Sequence, residues 1–300
     1  MGLARHSRHG RANVTVLTIH DSIQQAITAL QPLYDSREAA AVAKYYHESL
    51  TGWDRWALPL HYGDELSEAQ LQRREQELPL LAEGTPVQYV VGKAEFYGRP
   101  FQVTPDVLIP RPETEELVQA ALSALEGKER PAVWDVGTGS GCIAVTIAAE
   151  LPGAAVFATD ISPEALAVAR ENAARHQATV TFGQHDMRDL ATLPFPDQRF
   201  DLIISNPPYI PERDRQTMHR NVVGHEPDLA LFVPDEDPLW CYRALAALAA
   251  KTLKPGGRLM VETYHQYHEL LIQQWKENGL RHITEQDDIN SRPRFVMGTL

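Results

Sequence analysis

An apolar run that stops abruptly at two prolines occupies residues 201–210 and reads Asp201-Leu202-Ile203-Ile204-Ser205-Asn206-Pro207-Pro208-Tyr209-Ile210. A short continuous apolar run with a breaker at its end is typical of a buried strand in a parallel sheet. Because two consecutive prolines cannot continue a ladder of hydrogen bonds, the chain must leave the sheet at Asn206. An amide side chain and an aromatic ring then follow the strand, at the edge where open α/β sheets bind their ligands.

The sequence after Pro131 alternates between strand-like and helix-like patterns, which predicts a mostly parallel sheet covered by helices. The expected strands are 132–136, 155–159, 179–184, 202–205 and 258–262, with a closing pair at 283–286 and 294–298. The expected helices are 113–125, 142–150, 163–176, 239–253 and 265–278. Ser162 is the expected N-cap of the helix at 163–176, and Lys254–Gly257 is an expected turn.

Residues 16–86 predict a small all-helical domain. Three segments carry apolar residues at helical spacing, at 23–30, 36–50 and 67–81. Asp21 or Ser22 can cap the first of them, and Ser67 with Gln70 forms a capping box for the third.

Residues 87–106 predict a β-hairpin that links the helical domain to the sheet domain at 107–300. Within it, Tyr89–Gly92 and Glu95–Val103 are expected to be short aromatic-rich strands around turns. Residues 1–15 begin with five basic side chains and no acid, and they predict a disordered extension rather than a targeting signal.

The composition limits the class of protein. Three hundred residues with 43% apolar content suffice for one large or two modest domains. A formal charge of −12 argues against a general nucleic-acid binder, and no apolar run approaches the roughly 18 residues of a membrane helix. Two cysteines, Cys142 and Cys241, suit a reducing compartment. We therefore expect a cytoplasmic protein.

A glycine-rich turn, Asp135-Val136-Gly137-Thr138-Gly139-Ser140-Gly141, lies between the first expected strand and its helix. Glycines allow a sharp turn and let a ligand approach the backbone. The spacing differs from the dinucleotide fingerprint, and the lysine of a phosphate loop is absent from this turn. Asp160, after the second strand, can accept hydrogen bonds from two ribose hydroxyls, but the same holds for NAD sites, so Asp160 does not by itself choose the cofactor.

Residues Asp135–Gly141 and Asp160 resemble the first two motifs of class I S-adenosylmethionine-dependent methyltransferases. The resemblance implies a Rossmann-like sheet and S-adenosyl-L-methionine as cofactor. The residues it implies for the cofactor are Gly137, Thr138, Gly139, Ser140, Gly141, Asp160 and Asn206, with Asp186 or Met187 at the adenine. A turn cap is the competing interpretation for Asp186.

In that family, Asn-Pro-Pro-Tyr is the signature of enzymes that methylate a planar nitrogen, either adenine N6 or the amide of glutamine. Such a nitrogen is a poor nucleophile, and two acceptors, the Asn206 oxygen and the Pro207 carbonyl, can orient it and stabilise its developing positive charge. Pro208 helps to fix this geometry, and Tyr209 can pack on the planar amide. The implied catalytic residues are Asn206, Pro207 and Tyr209.

The flanking sequence narrows the resemblance to the bacterial peptide chain release factor glutamine N5-methyltransferases. It rests on Phe96-Tyr97-Gly98, on Pro110-Arg111-Pro112-Glu113-Thr114-Glu115 and on the helical domain. Related enzymes that act on ribosomal protein L3 usually have Pro-Arg-Ser-Pro instead. The resemblance implies methylation of the glutamine in the Gly-Gly-Gln motif of class I release factors, the proteins of translation termination, with the helical domain helping to bind them.

Three alternatives stay open: the same chemistry on ribosomal protein L3, adenine N6 methylation of nucleic acid, and a methyltransferase fold kept as a binding module. No basic target-recognition region follows the extension, which disfavours sequence-specific nucleic-acid binding. Arg111 can hold the carboxylate of the methionine moiety or of a neighbouring acid such as Glu113, or form an ordinary ion pair. No membrane partner and no metal are expected.

Overall fold

The computed structural model describes residues 17–300, except for the side chain of His265. The expected extension at 1–15 lies outside the described residues. The α-helices of the described chain are α1 (Ile19–Leu30), α2 (Ser36–Thr51), α3 (Glu68–Ala82), α4 (Val87–Val91), α5 (Pro112–Leu125), α6 (Cys142–Glu150), α7 (Pro163–Arg175), α8 (Asp228–Leu231), α9 (Trp240–Thr252) and α10 (His268–Glu277). Its strands are β1 (Lys93–Phe96), β2 (Arg99–Gln102), β3 (Ala132–Val136), β4 (Ala155–Asp160), β5 (Val180–Gln184), β6 (Phe200–Ser205), β7 (Ile210–Pro211), β8 (Phe232–Val233), β9 (Leu253–Glu262), β10 (Arg281–Asp287) and β11 (Pro293–Thr299).

The contacts divide the chain into two compact units, with the boundary between Val91 and Gly92. The first unit contains α1 to α4 around one apolar core, in which Ile23, Leu30 and Tyr46 are buried. The capping box of α3 is confirmed, since Ser67 accepts from the Gln70 amide and the Gln70 side chain accepts from the Ser67 amide. The helices α1, α2 and α3 cover the three segments predicted to be helical, so all three predictions are confirmed.

The cap of α1 differs from the prediction. Thr18, rather than Asp21 or Ser22, is the N-cap, and its hydroxyl accepts from the Asp21 amide at 3.1 Å. Ile19 is buried, so the apolar face of α1 begins one turn earlier than the periodicity of the later isoleucines indicates. Asp21 then lies in the first turn, where a carboxylate interacts favourably with the helix dipole.

The strand predicted at Tyr89–Gly92 is wrong, because this segment forms the short helix α4. The Pro86 carbonyl accepts from the amides of Tyr89 and Val90, at 3.0 and 3.2 Å, and starts a helical turn. Val87 is buried and Val90 packs against the same helical core. Tertiary burial thus outweighs the strand propensity of valine and tyrosine. The hairpin of β1 and β2 that follows is confirmed, with positive φ at both turn residues, Tyr97 and Gly98, as a type I′ turn requires.

The second unit is built on a seven-stranded sheet with the order β10-β11-β9-β6-β3-β4-β5. Neighbours from β9 to β5 pair in parallel, and β11 runs antiparallel to both β9 and β10. The chain proceeds from β3 outward through β4 to β5 and returns to place β6 on the other side of β3. This reversal opens a crevice at the carboxyl ends of β3 and β6, where such sheets bind ligands. The predicted α/β fold and each of its predicted strands are confirmed.

Two local features go beyond the predicted pattern. The turn expected at Lys254–Gly257 is an excursion inside β9, because pairing with β6 moves from Phe200–Leu253 directly to Leu202–Arg258. The short strands β7 and β8 pair in parallel and bring the chain after the double proline back to the same edge. The residues preceding β8 thereby reach the crevice.

Candidate active site

A cavity lies at the carboxyl edge of the sheet and collects most of the residues that the sequence singles out. Those that line it are Arg111, Gly137, Thr138, Gly139, Ser140, Asp160, Asp186, Met187, Asn206 and Pro208. Gly141, Pro207 and Tyr209 are not among its lining residues. The motifs after β3, β4, β5 and β6 therefore meet in one place, as expected of strands that end at a common edge.

Hydrogen bonds to Thr159 and Asp135 fix the glycine loop and do not fill the cavity that it lines. The amides of Gly137 and Thr138 donate to the Thr159 carbonyl at 2.8 and 2.9 Å. The Thr138 hydroxyl donates to the buried carboxylate of Asp135 at 2.6 Å. Burial raises the pKa of Asp135 to about 7, and the hydrogen bonds from the Thr138 hydroxyl and the Ala144 amide oppose that rise.

Gly137, Gly139 and Gly141 of the loop have positive φ, but their surroundings differ. A Cβ on Gly139 would meet nothing within 4 Å, and a Cβ on Gly137 would meet only the Met187 side chain at 4.0 Å, so both would project into open space. A Cβ on Gly141 would approach Ala169 to 3.1 Å. Gly137 and Gly139 therefore leave room for a ligand, whereas Gly141 lets α6 and α7 pack closely.

Asp160 ends β4 with both carboxylate oxygens facing backbone donors. One oxygen accepts from the Gly139 amide at 2.9 Å and the other from the Ser162 amide at 3.0 Å. Burial raises the pKa of Asp160, and the backbone hydrogen bonds oppose the rise. Each oxygen has a second lone pair, so the carboxylate can also accept from two neighbouring hydroxyls of a ligand.

Asp186 combines the two interpretations that the sequence left open. It accepts from the Arg188 amide at 2.9 Å, as a turn cap does, and it also lines the cavity. Its carboxylate forms an ion pair with the Arg188 guanidinium at 2.6 Å, and this contact lowers the pKa of Asp186. The same guanidinium lies over the Trp240 ring, 5.4 Å from its centre. Trp240 lines the cavity but was not anticipated from the sequence.

Asn206 is oriented by a chain of hydrogen bonds. Its Nδ2 donates to the Thr114 hydroxyl at 3.1 Å, and that hydroxyl donates to the Glu262 carboxylate at 2.7 Å. The Tyr209 hydroxyl donates to the other oxygen of Glu262 at 3.1 Å. Thr114 and Glu262 are 2% and 1% exposed, so the hydrogen bond between them is buried, and Thr114 also lines the cavity beside Asn206. A buried acid at the carboxyl end of an apolar strand, as in Asp135 and Asp160, was the signal that could have singled out Glu262.

Arg111 is paired with Glu226 rather than with Glu113. The guanidinium donates to Glu226 at 2.6 Å, and the second oxygen of Glu226 accepts from the Ile109 amide at 3.1 Å. The Glu226 side chain is 2% exposed. The residues that follow it, Pro227 to Phe232, supply one wall of the cavity. The ion pair therefore connects the cavity wall at Arg111 with the wall formed by residues 227–232.

In the part of the chain that the structure describes, no group of three or more His, Cys, Asp or Glu side chains is placed to hold a metal ion. No helix within residues 17–300 is both long and apolar enough to cross a membrane.

Comparisons with known proteins identify both units. A methyltransferase-domain family model matches residues 128–291, and a model of the PrmC N-terminal domain matches residues 21–92. The release factor glutamine methyltransferase of Bacteroides thetaiotaomicron is 40% identical over 270 residues, which cover 89% of this chain and 95% of that protein. The protein of the same name from Flavobacterium psychrophilum is 35% identical over 275 residues, which cover 91% and 95%.

The sheet, the glycine loop and the acid at the end of β4 define a class I methyltransferase that uses S-adenosylmethionine. With similarity that extends over both units, this chain belongs to the release factor glutamine methyltransferase family.

Proposed function

We propose that this protein transfers a methyl group to the side-chain amide nitrogen of the glutamine in the Gly-Gly-Gln motif of class I peptide chain release factors. S-adenosyl-L-homocysteine is the second product. The observation that carries the proposal is that Asn206 lines the same cavity as the glycine loop and Asp160, with its Nδ2 engaged by Thr114. The amide oxygen of Asn206 is thus the atom left to accept from a substrate N–H.

The residues present fit S-adenosyl-L-methionine. Gly137 and Gly139 leave open space where side chains would stand, and Thr138 and Ser140 line the same wall. Asp160 would accept from the two ribose hydroxyls, and Asp186 and Met187 would contact the adenine. When bound, the cofactor supplies a methyl group already activated on a sulfonium. We assign Gly141 a supporting role in this site, because it packs against Ala169.

The acceptor glutamine would be held by the residues after β6. The Asn206 oxygen and the Pro207 carbonyl accept from its two N–H groups, which orients the nitrogen and stabilises the positive charge that develops on it. Pro208 fixes the turn and Tyr209 packs on the planar amide. Because these groups are held before the substrate arrives, alignment requires little reorganisation during the reaction. Arg111 contributes by holding Glu226, which keeps a wall of the cavity in place.

The helical domain, predicted at 16–86 and extended in the structure by α4 (Val87–Val91), helps to bind the release factor. The rest of the predicted linker at 87–106 leads from Gly92 into the methyltransferase domain at 107–300. The protein acts in the cytoplasm. Its interaction with release factors does not involve sequence-specific binding of nucleic acid, which agrees with a formal charge of −12.

Incubation with purified proteins tests the substrate. Class I release factors, ribosomal protein L3 and a DNA duplex are each treated with the protein and a methyl-labelled donor. We expect label on the release factor alone, and mass spectrometry should find one added methyl group on the Gly-Gly-Gln peptide. A release factor with this glutamine replaced by alanine is the control and should stay unlabelled. Label on ribosomal protein L3 alone, or on DNA, would overturn the proposal.

A further inference from the structure

Glu262 is the last residue of β9, and it is buried with 1% of its surface exposed. Its two oxygens accept from two neutral hydroxyl groups, one from Thr114 and one from Tyr209, at 2.7 and 3.1 Å. Burial raises the pKa of Glu262, and the hydrogen bonds from Thr114 and Tyr209 together with the nearby Arg294 oppose that rise. Buried acids with perturbed pKa values cluster at functional sites.

The polarity of the hydrogen bonds is fixed by the carboxylate. The Thr114 hydroxyl donates its hydrogen to Oε2 of Glu262 at 2.7 Å, with the carboxylate as the acceptor. The Thr114 oxygen then has only lone pairs left, so the group of Asn206 that faces it at 3.1 Å must be the NH₂. The opposite orientation of the Asn206 amide would set two acceptors against each other. Glu262 therefore determines, through Thr114, which atom of Asn206 is available to the substrate.

The Glu262 carboxylate also accepts a hydrogen bond from Tyr209, the last residue of the Asn-Pro-Pro-Tyr motif. Burial and the nearby Glu262 both raise the pKa of Tyr209, so its hydroxyl keeps its proton and donates. Asn206 and Tyr209 flank the two prolines and are tied to one carboxylate, directly or through Thr114.

We propose that Glu262 and Thr114 are positioning residues, which orient the Asn206 amide so that its oxygen faces the substrate nitrogen and anchor Tyr209 beside it. The proposal rests on the proposed function, since the amide that Asn206 orients is the substrate glutamine. It adds two residues, from α5 and β9, to the four that follow β6.

A matched pair of variants at Thr114 tests the proposal. Thr114→Val keeps the shape of the side chain and removes the hydroxyl, whereas Thr114→Ser keeps the hydroxyl. We expect Thr114→Val to lower kcat about 10- to 100-fold, while the KM for release factor and the Kd for S-adenosylhomocysteine change less than about 3-fold. Thr114→Ser should stay within about 3-fold of the parent protein in kcat. A Thr114→Val variant with the parent kcat, or equal losses in both variants, would overturn the proposal.

The double variant shows whether Thr114 acts through Asn206. In an Asn206→Ala background, measured over long incubations, Thr114→Val should lower the residual rate by less than about 2-fold, because the group it orients is gone. If Thr114→Val lowered the rate by the same factor with Asn206 present and with Asn206→Ala, Thr114 would not act through Asn206.

Glu262→Gln separates positioning from stability. Glutamine keeps one acceptor oxygen and replaces the other by an NH₂ donor, so one of the two hydroxyls loses its acceptor and kcat should fall about 10-fold or more. The melting temperature should not fall, because a neutral side chain removes the burial of a charge. A lower melting temperature with unchanged kcat would show that Glu262 has only a structural role.

A readout without methyl transfer keeps the two proposals distinct. If the parent protein does not methylate release factors, the proposed function fails, and the orientation of Asn206 is then read from its side-chain NH₂ resonances in protein labelled with [¹⁵N]asparagine. Thr114→Val should shift these resonances and Thr114→Ser should not. Resonances unchanged in Thr114→Val would overturn the positioning role itself.

Discussion

Asn206 contributes one atom to the proposed reaction. Its NH₂ is engaged by Thr114 and the residue lines the cavity, so the amide oxygen is the group left to accept from a substrate. A preorganised acceptor is most effective where charge develops, because its dipole needs no reorientation when the substrate reacts. Asp160, by contrast, has the proposed role of binding the cofactor, and its carboxylate accepts from the amides of Gly139 in the glycine loop and of Ser162 after β4.

Asn206→Ala should therefore affect transfer much more than cofactor binding. We expect kcat to fall about 100-fold or more, the usual effect of removing one preorganised group at a reacting centre. The Kd for S-adenosylhomocysteine, measured by calorimetry, should change less than about 3-fold because the glycine loop and Asp160 are untouched. Asp160→Ala is the matched comparison and should weaken that affinity strongly. Unchanged methyl transfer by Asn206→Ala would refute the role of the amide.

Gly139 and Gly141 make a second pair, since both have positive φ but only Gly141 has close neighbours. Alanine at either position should cost about 1 kcal/mol of folding free energy from backbone strain. Gly141→Ala should cost about 1–3 kcal/mol more, because its Cβ would meet Ala169 at 3.1 Å. Gly139→Ala should instead weaken cofactor binding, because its methyl group would occupy the cavity.

Urea unfolding and calorimetry with S-adenosylhomocysteine distinguish these two outcomes. Equal loss of stability in both variants, with equal affinity, would contradict the separate roles of the two glycines.

Helix α2 carries a buried titratable group that makes the stability of the helical unit depend on pH. His47 is fully buried, its Nδ1 donates to the Ala43 carbonyl at 2.7 Å, and its Nε2 accepts from the Ser22 hydroxyl at 2.8 Å. The Ser22 oxygen in turn accepts from Arg74 at 2.8 Å. Burial lowers the pKa of His47 from 6.5 to about 4, and the neutral imidazole fits these partners with Nδ1 as the donor and Nε2 as the acceptor.

Because its pKa is lower in the folded state, His47 should destabilise the helical unit as the pH falls from 6.5 towards 4. The unfolded chain binds a proton in this interval and the folded chain does not, a difference of roughly 2–3 kcal/mol. Amide hydrogen exchange of α1 and α2 in the full chain, corrected for intrinsic rates, should show the loss of protection. His47→Gln should reduce this pH dependence, and His20→Gln, at an exposed histidine of α1, should not. A pH dependence that survives in His47→Gln would point to another group.

Across the methyltransferase unit, the site depends on contacts between distant parts of the chain. Arg111 and Glu226 are 115 residues apart, and Thr114 and Glu262 are 148 residues apart. The parallel order of β3, β6 and β9 brings them together, and the pairing of β7 with β8 returns residues 227–232 to the cavity.

Glu226→Ala should therefore loosen a wall of the cavity. It removes the partner of both the Arg111 guanidinium and the Ile109 amide, so we expect about 10-fold weaker binding of S-adenosylhomocysteine, which corresponds to about 1.4 kcal/mol. Hydrogen exchange in residues 218–232 should increase as well. Glu212→Ala, which breaks an exposed ion pair with Arg215 in the preceding segment, is the control and should change affinity little. Equal effects of the two variants would rule out a special role for Glu226.

Much of the fold was predictable because its signals are local. Apolar runs, prolines and caps located the helices and strands of the sheet, and the glycine loop, Asp160 and Asn206 were placed at the correct edge. Two predictions were wrong. The residues of α4 have strand propensity, but burial against the helical core holds them in a helix. The N-cap of α1 lies one turn before Ile23, the first of the isoleucines whose spacing indicated the helix.

The amino-acid sequence by itself determined the order of the elements, the edge at which the site forms and the family to which the chain belongs. Only the tertiary structure decided that Arg111 pairs with Glu226, and that Glu262 reaches Asn206 through Thr114. The physical reason is that helices, strands and turns follow from short-range sterics and apolar periodicity. A hydrogen bond between residues a hundred positions apart depends instead on strand order and register, which are fixed only when the whole sheet is assembled.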